Sequence, residues 1–501
     1  MKATTHTETE RKYELGPDAK LPVLDGLPGV VATSDPSTED LNAVYYDTDD
    51  LRLARAGLTL RRRTGGADAG WHLKVPAGRD TRDETRLPLG DSDEPPAELA
   101  DLVTGYTRGA RLVPVARLST RRDRRQLLGP NGVLAEVTDD LVTARSTGRP
   151  ASLDTWREVE IELAGEAGTG LLDHAERRLG KAGIRRSKSS SKLLRVLDLG
   201  PDQADHPATA GEVVRHYLRA QADVLARNDL LVRKGTGDAV HQLRVAARKL
   251  RSALRVFGKI IDQDRTREVE AELRWLGRRL APARDLEVQE ERFRRAAGSL
   301  PPELLIGPVV ARLTKYFGRA EADAGRKVLR TLRGERYLRL LTAVDELLAD
   351  PPFTPAAGKP ATKELPRHIR RAYRTVARRA ERIRVLPPGP DRDTATHSMR
   401  KAAKRFRYAV EAVAPTIGKP AWRTRRHAKK LTKVLGEFQD SVMARPVLRE
   451  LGVRAHLAGE NGFTFGLLHG HEEAAAHRAE HDLWPTWRPT TTKKARAWFR
   501  K

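Results

Sequence analysis

The sequence contains no cysteine, only 3 methionines, and aromatic residues at just 5% of its 501 positions. Without cysteine there is no disulfide, no thiolate metal centre and no cysteine nucleophile. No run of about 18 apolar residues occurs, so no membrane-spanning helix is expected. The opening stretch MKATTHTETERKYEL lacks an apolar signal-peptide core, and a cytoplasmic location is expected. No GxxxxGK[ST] phosphate loop is present, which argues against a P-loop nucleotide site. Hydrophobic residues, at 39%, suffice for packed domains, and the length implies two or three of them.

Charge is what the chain has in quantity. Charged residues make up 32% of it, with a net +26. Up to Gly200 there are 31 Lys and Arg against 32 Asp and Glu, a balance of −1; beyond it 62 face 35, a balance of +27. A strongly basic module points to a polyanionic partner: nucleic acid, anionic membrane or polyphosphate. Texture changes at the same place. Before Gly200 come short alternating runs, AVYYDT, LTLRRRTGG, WHLKVPAG, GVLAEVTDD and WREVEIELAGE, which read as strands and hairpins. One amphipathic helix is expected near 169–182. After a polar linker, long helical patterns take over, with breaks at 299–302, 351–362 and 387–392.

Side chains two apart on a strand share a face. Glu8, Glu10 and Lys12 therefore point together, as do Glu158, Glu160 and Glu162 opposite Val159 and Ile161. Arg61 and Arg63 form a basic pair, and Lys74 lies in another strand. One wet face is common in antiparallel sheets. But three carboxylates in a row repel one another unless cations compensate. Acid rows beside base rows suit divalent metal ions bridging carboxylates to a phosphate chain.

ETERK, YYDTDDLRLARAGLTLRRRTGG, WHLKVP and the EVEIE strand resemble a CYTH domain of the triphosphate tunnel metalloenzyme family, over roughly residues 2–200. The resemblance implies an α+β domain: a closed, eight-stranded antiparallel barrel with a charged lumen that hydrolyses a triphosphate. It implies Mg²⁺ or Mn²⁺ as cofactor, as two ions. By resemblance, Lys12, Arg61, Arg63, Lys74, Arg117, Arg121 and Lys192 grip the triphosphate. Glu8, Glu10, Asp139, Glu158, Glu160 and Glu162 are the expected metal ligands, Glu158 and Glu160 also serving catalysis through a metal-activated water. Alternation alone leaves open which of Arg121, Arg122, Arg124 and Arg125 enter the lumen. Glu162 is either a ligand or a residue of the barrel mouth, and Glu136 and Asp140 compete with Asp139.

The second half carries a repeat. VHQLRVAARKLRSALRVF from Val240 and THSMRKAAKRFRYAVEAV from Thr396 stand 156 positions apart. At about 100° per residue, His241, Arg244, Arg248, Arg251 and Arg255 form a ridge beside an apolar stripe. The second copy repeats it with His397, Arg400, Lys404 and Arg407, but Glu411 replaces the last Arg, either weakening the ridge or forming an internal ion pair. Solvated helix faces commonly mix Glu with Lys; these are almost purely cationic. The helices resemble a CHAD domain, which implies an all-α unit of two pseudo-symmetric four-helix repeats binding inorganic polyphosphate. The expected organisation is 1–200 CYTH, 201–208 linker and 209–501 CHAD, with repeats near 209–350 and 363–501. The expected partners are triphosphate and polyphosphate, with no membrane, and location at polyphosphate granules follows. Two rival readings are a non-catalytic polyphosphate-binding protein and a nucleic-acid-binding protein. The second is disfavoured because the ridges lack interleaved aromatics. His469, His471, His477 and His481 cluster without an acid to complete a metal set. Trp484, Trp487 and Trp498 are expected to pack on the bundle.

Overall fold

The structure, a computed structural model, describes residues 4–147, 153–165, 167–197, 199 and 207–500. Most of the expected linker, 201–206, lies outside them. The chain divides into two compact units, Met1–Ala204 and Asp205–Lys501.

The first unit contains strands β1 (Thr4–Leu15), β2 (Ala32–Thr33), β3 (Ser37–Asp47), β4 (Thr59–Thr64), β5 (Gly70–Pro76), β6 (Thr81–Leu87), β7 (Val113–Gly129), β8 (Gly132–Ser146), β9 (Leu153–Leu163) and β10 (Arg185–Arg186). Its helices are α1 (Arg52–Arg55), α2 (Ala97–Thr107), α3 (Gly170–Lys181) and α4 (Lys192–Val196). Eight strands run antiparallel in the order β1-β6-β5-β4-β3-β7-β8-β9 and return to β1. Closure rests on β1 serving two neighbours. Thr4–Thr9 pair with β6, and Glu10–Leu15 pair with β9. This is the expected eight-stranded barrel. Helix α2 and the long strand β7 extend the reading made from short runs.

Alternation sorts the residues as period two requires. Tyr13, Val137, Val159 and Ile161 point outward and pack beneath Leu171, Leu172, Ala175 and Leu179 of α3. Their charged neighbours face inward. Asp47, at the end of β3, holds a turn in place. It is fully buried and accepts the backbone N–H groups of Thr48, Leu53 and Ala54. It thereby caps the orphan donors where α1 begins.

The second unit has eleven helices among the described residues. The first copy contains α5 (Ala210–Arg233), α6 (Ala239–Val256), α7 (Arg267–Arg279), α8 (Ala281–Gly298), α9 (Val309–Arg333) and α10 (Glu335–Ala349). The second contains α11 (Ala361–Val385), α12 (Pro390–Ile417), α13 (Lys419–Leu457), α14 (Phe463–Thr491) and α15 (Lys493–Arg500). Each copy therefore has four main helices and a shorter closing one. The third is a single 39-residue helix in the second copy but is split at Leu280 in the first. Pro282 stands in the first turn of α8, where a missing N–H is tolerated. A capping box of Thr209 and Glu212 starts α5. One apolar core, including Leu243, Leu250, Phe257, Met399, Phe406 and Val413, joins the two copies.

Ile161 is fully buried between the barrel wall and α3. Ile161→Ala removes three carbons there and is expected to cost about 2–5 kcal/mol, read as a lower urea midpoint for the barrel.

Candidate functional site

Register places the charges. Lys12 of β1 lies directly opposite Glu160 of β9, and Glu10 lies opposite Glu162. Asp140 of β8 stands opposite Glu158 on one side and Arg122 of β7 on the other. Cross-strand partners on one face approach closely enough to interact directly. The acids thus come from three contiguous strands, β1, β9 and β8. Arginines come from β4 and β7, on either side of β3. Together these strands enclose a cavity of about 360 Å³ lined by Glu8, Glu10, Lys12, Arg61, Arg63 and Lys74 among others.

Lys192, from α4, reaches into this wall. Its ammonium lies 2.9 Å from Asp140, 2.7 Å from Glu158 and 2.6 Å from Glu160. Arg122 binds Asp140 with two N–H···O bonds, at 2.8 and 2.7 Å, and approaches Glu160 at 3.4 Å. Lys12 also bonds Glu160. Burial pushes Glu160 up, but Lys12, Lys192 and Arg122 outweigh it and hold the carboxyl well below the usual range. Burial would lower Lys192, and Asp140, Glu158 and Glu160 instead raise it well above. Glu162, also among the lining residues, has no ion-pair partner among the described residues. Burial and then the Glu8 charge push it up to about 7.

A second cluster lies on β1, β5 and β6. His6 Nε2 is 3.1 Å from both Glu8 and Glu84, and His72 Nδ1 is 2.8 Å from Glu84. Lys74 bonds Glu8, and Arg86 contacts Glu8 and Glu84. On the adjoining strand β4, Arg63 pairs with Asp68, and Arg61 donates to the Tyr45 hydroxyl at 3.3 Å. Burial pushes Asp68 up, yet Arg63 outweighs it and brings the carboxyl down to about 2. The Arg61 Nε is buried with no hydrogen bond among the described residues.

The donor sets fit a metal. Asp140, Glu158 and Glu160 offer oxygens all within 4.8 Å of one another, as do His6, Glu8 and Glu84 with their nitrogen and oxygens. An all-oxygen set suits a hard divalent cation, and the Lys192 ammonium already lies among the first three acids.

Three expectations require correction. Asp139 points out of the barrel and pairs with Arg157 at 2.7 Å; Asp140 is the lumen residue. Arg117 and Arg121 are exposed on the outer face of β7. Leu118, Thr120, Arg122 and Arg124 line the lumen instead. The reason is parity, since one residue's shift in phase moves every side chain to the other face. Arg82, Glu84 and Arg86 were missed as well. They stand at the same spacing of two that marks Glu8, Glu10 and Lys12, so the signal was present in TRDETRL.

In the helical unit the ridges of α6 and α12 meet. Arg248 donates to the Tyr408 hydroxyl at 3.1 Å, and Arg407 lies over the Tyr408 ring at 4.8 Å. Arg244 pairs with Asp285 at 3.1 Å, and its counterpart Arg400 pairs with Asp440 at 3.4 Å. The same tether recurs in both copies. Arg251 and Arg255 lie toward Glu270 of α7, which bonds Arg255. The Nε atoms of Arg400 and Arg407 are buried without a hydrogen bond among the described residues. His241 is pushed down to about 4 by burial and the nearby Arg284, so it is neutral at neutral pH. His397 bonds Gln439 at 2.5 Å and is also lowered, by burial first. The histidines therefore offer polarity to the ridge, and the arginines and lysine offer charge.

Residues 6–197 match the family model of the CYTH domain, and residues 216–449 match that of the CHAD domain. The chain belongs to the CYTH–CHAD family. The uncharacterized protein MT2285 of Mycobacterium tuberculosis (strain CDC 1551 / Oshkosh) is 39% identical over 498 residues, covering 95% of each chain. PptA from Streptomyces chartreusis is 22% identical, with a TM-score of 0.47, over 56% of this chain and 100% of its own. The CHAD domain from the plant Ricinus communis is 20% identical, with a TM-score of 0.42, over 60% of this chain and 96% of its own.

The remaining motifs belong to the helical framework of the second unit. Trp487 stacks on Tyr373 at 5.7 Å, Trp484 packs at the core edge, and Trp498 donates to Thr424 at 3.0 Å. The four tail histidines lie along α14 and form no metal-suited group among the described residues. Glu411 makes the internal ion pair, 2.5 Å from Lys249. Among the described residues, no helix is long and apolar enough to cross a membrane.

Lys404 ties the stability of the free protein to pH. It has no ion-pair partner among the described residues, and burial, then Arg400 and Arg248, push it down to about 7 from 10.5. The unfolded chain therefore binds more protons between pH 7 and 10.5, and stability of the free protein rises with pH across that window. A bound polyanion favours the ammonium and raises its pKa. Polyanion affinity should then be full below pH 7 and fall as pH rises above it. Titration with long-chain polyphosphate from pH 6 to 9 at constant ionic strength checks this, and Lys404→Arg should flatten the profile.

Proposed function

We propose that the CYTH barrel hydrolyses a triphosphate, inorganic triphosphate first, with Mg²⁺ or Mn²⁺, and that the CHAD unit binds inorganic polyphosphate. CYTH-family proteins are often triphosphatases or cyclases. The observation that carries the hydrolytic reading is the sorting inside the barrel. Carboxylates on contiguous strands face guanidinium groups across one small cavity, and a passive anion receptor has little use for so many acids.

Arg61, Arg63, Arg122 and Arg124 present planar forks that match phosphate oxygens and offset their charge. Lys12, Lys74 and Lys192 add point charges from the acid side. Asp140, Glu158 and Glu160 would hold one ion and His6, Glu8 and Glu84 a second; so bound, the metal would offset phosphate charge and lower the pKa of a water. With those acids so engaged, the ammonium of Lys192 would be free to turn toward phosphate. Phosphoryl transfer demands mainly positioning and charge neutralisation, and a closed barrel supplies both with little motion. The CHAD ridges suit a flexible phosphate chain, which needs cations at intervals and no base reading. The CHAD unit thereby holds the enzyme at polyphosphate deposits in the cytoplasm or presents chain ends to it. Deleting residues 205–501 should then abolish polyphosphate binding and localisation.

The Glu158→Gln, Glu160→Gln double variant is expected to lose about 10²–10³-fold or more in kcat for triphosphate, assayed by phosphate release with Mg²⁺ and Mn²⁺. Wild-type turnover would leave only the binding-protein reading. Arg122→Ala should raise KM about tenfold or more, whereas Arg121→Ala should match wild type. Polyphosphate affinity should decline steeply with salt, and preference for RNA at fixed ionic strength would remove the CHAD assignment.

A further inference from the structure

The two copies of the CHAD repeat are not electrostatically equivalent, and the difference opens a cavity. Lys249 and Arg405 occupy equivalent positions, as do Arg255 and Glu411. Where Lys249 meets Glu411, the two form an ion pair at 2.5 Å, and Arg425 joins them at 3.4 Å. Where Arg255 meets Arg405, both members are cations, and they line one cavity of about 300 Å³ between the end of α6 and helices α11 and α12.

The lining is one-signed. Arg255, Lys259, Arg371 and Arg405 carry its charge, His368 and Thr375 add polar groups, and no carboxylate is among the lining residues. Arg255 has Glu270 as a partner. Lys259, Arg371 and Arg405 have no side-chain ion pair or hydrogen bond among the described residues. His368 Nδ1 lies 3.0 Å from the Val256 carbonyl, engaging an oxygen at the end of α6 that would otherwise repel an anion. Burial and then the facing Arg255 lower the Arg405 guanidinium. Like charges gathered in this way cost stability unless an anion joins them.

The cavity shares Arg255 with the end of the α6 ridge but lies off the ridge of α12. At about 100° per residue, Arg405 lies roughly 100–160° around α12 from Lys404, Arg400 and Arg407. Its volume is at the lower end of the range for small-molecule sites, about 300–1,000 Å³. We propose that this cavity is a second anion site of the CHAD unit, sized for a short oligophosphate such as pyrophosphate or triphosphate. Its occupant is either a free short oligophosphate or the end of a longer chain. The ligand class rests on the phosphate reading above, but the site requires nothing of the barrel's hydrolysis.

The test titrates pyrophosphate, and separately long-chain polyphosphate, into the full chain carrying Arg61→Ala and Arg63→Ala to weaken binding in the barrel. Arg405→Glu is then added, which rebuilds across from Arg255 the kind of ion pair found at Lys249 and Glu411. Its melting temperature should hold or rise in phosphate-free buffer. Arg371→Gln, on an exposed position, is the second variant and should act in the same direction. A loss of about tenfold or more in pyrophosphate affinity supports the site with a free short anion as occupant. An equal loss confined to the long chain supports it with a chain end as occupant. If pyrophosphate does not bind the parent and neither variant alters long-chain binding, or if both affinities survive both variants, the site is overturned. Phosphate release by the wild-type barrel is assayed in parallel. Its absence would count against the hydrolytic reading while leaving the pyrophosphate titration decisive for this cavity.

Discussion

A closed antiparallel barrel gives alternate side chains only one direction, inward, and closure removes the edge through which a misplaced charge could escape to solvent. Everything in the first unit depends on that constraint. Glu8, Glu10, Asp140, Glu158 and Glu160 cannot share a small lumen as free anions. Lys12, Lys192 and Arg122 are therefore part of the fold as much as of the site. The outward residues on the same strands, Tyr13, Val137, Val159 and Ile161, bury apolar area under α3 and fix the register that aligns the inward ones. Stability and site chemistry are two faces of one alternation.

The second unit meets its charge by duplication. Each copy pins its ridge with the same ion pair, Arg244 to Asp285 and Arg400 to Asp440, while Lys404 has no ion-pair partner among the described residues. Where copies of a basic helix cross, like charges confront one another. One crossing is relieved by Glu411, the other is left to Arg255 and Arg405. The exchange of one residue between copies thus gives a symmetric scaffold two different electrostatic environments. The Tyr408 ring, flanked by Arg248 and Arg407, supplies a neutral surface on which the cations can pack.

A net +26 describes neither unit. The barrel is balanced yet highly polarised within, and the helical unit is basic in total yet ordered by specific ion pairs. A phosphate chain is the anion that suits both. In the barrel it would meet arginine forks opposite metal-suited acids, and in the bundle spaced cations with one aromatic ring, Tyr408, among them.

By itself the periodic pattern determined the β-to-α division at Gly200, the inward set Glu8, Glu10, Lys12, Glu158 and Glu160, and the doubled ridge, while the closed barrel and the two four-helix repeats followed from the resemblance to CYTH and CHAD domains. A period of two or 3.6 is set by backbone geometry alone. Only the tertiary structure decided phase and company. TRRDRR and TDD carry charge at consecutive positions, so period two fits either parity, and the packing of β7 and β8 selected Arg122, Arg124 and Asp140 over Arg121 and Asp139. Lys192 joins three acids distant in sequence because α4 closes back onto the barrel wall. The contrast between Lys249–Glu411 and Arg255–Arg405 likewise arises from how two helices cross, a relation that no linear spacing encodes.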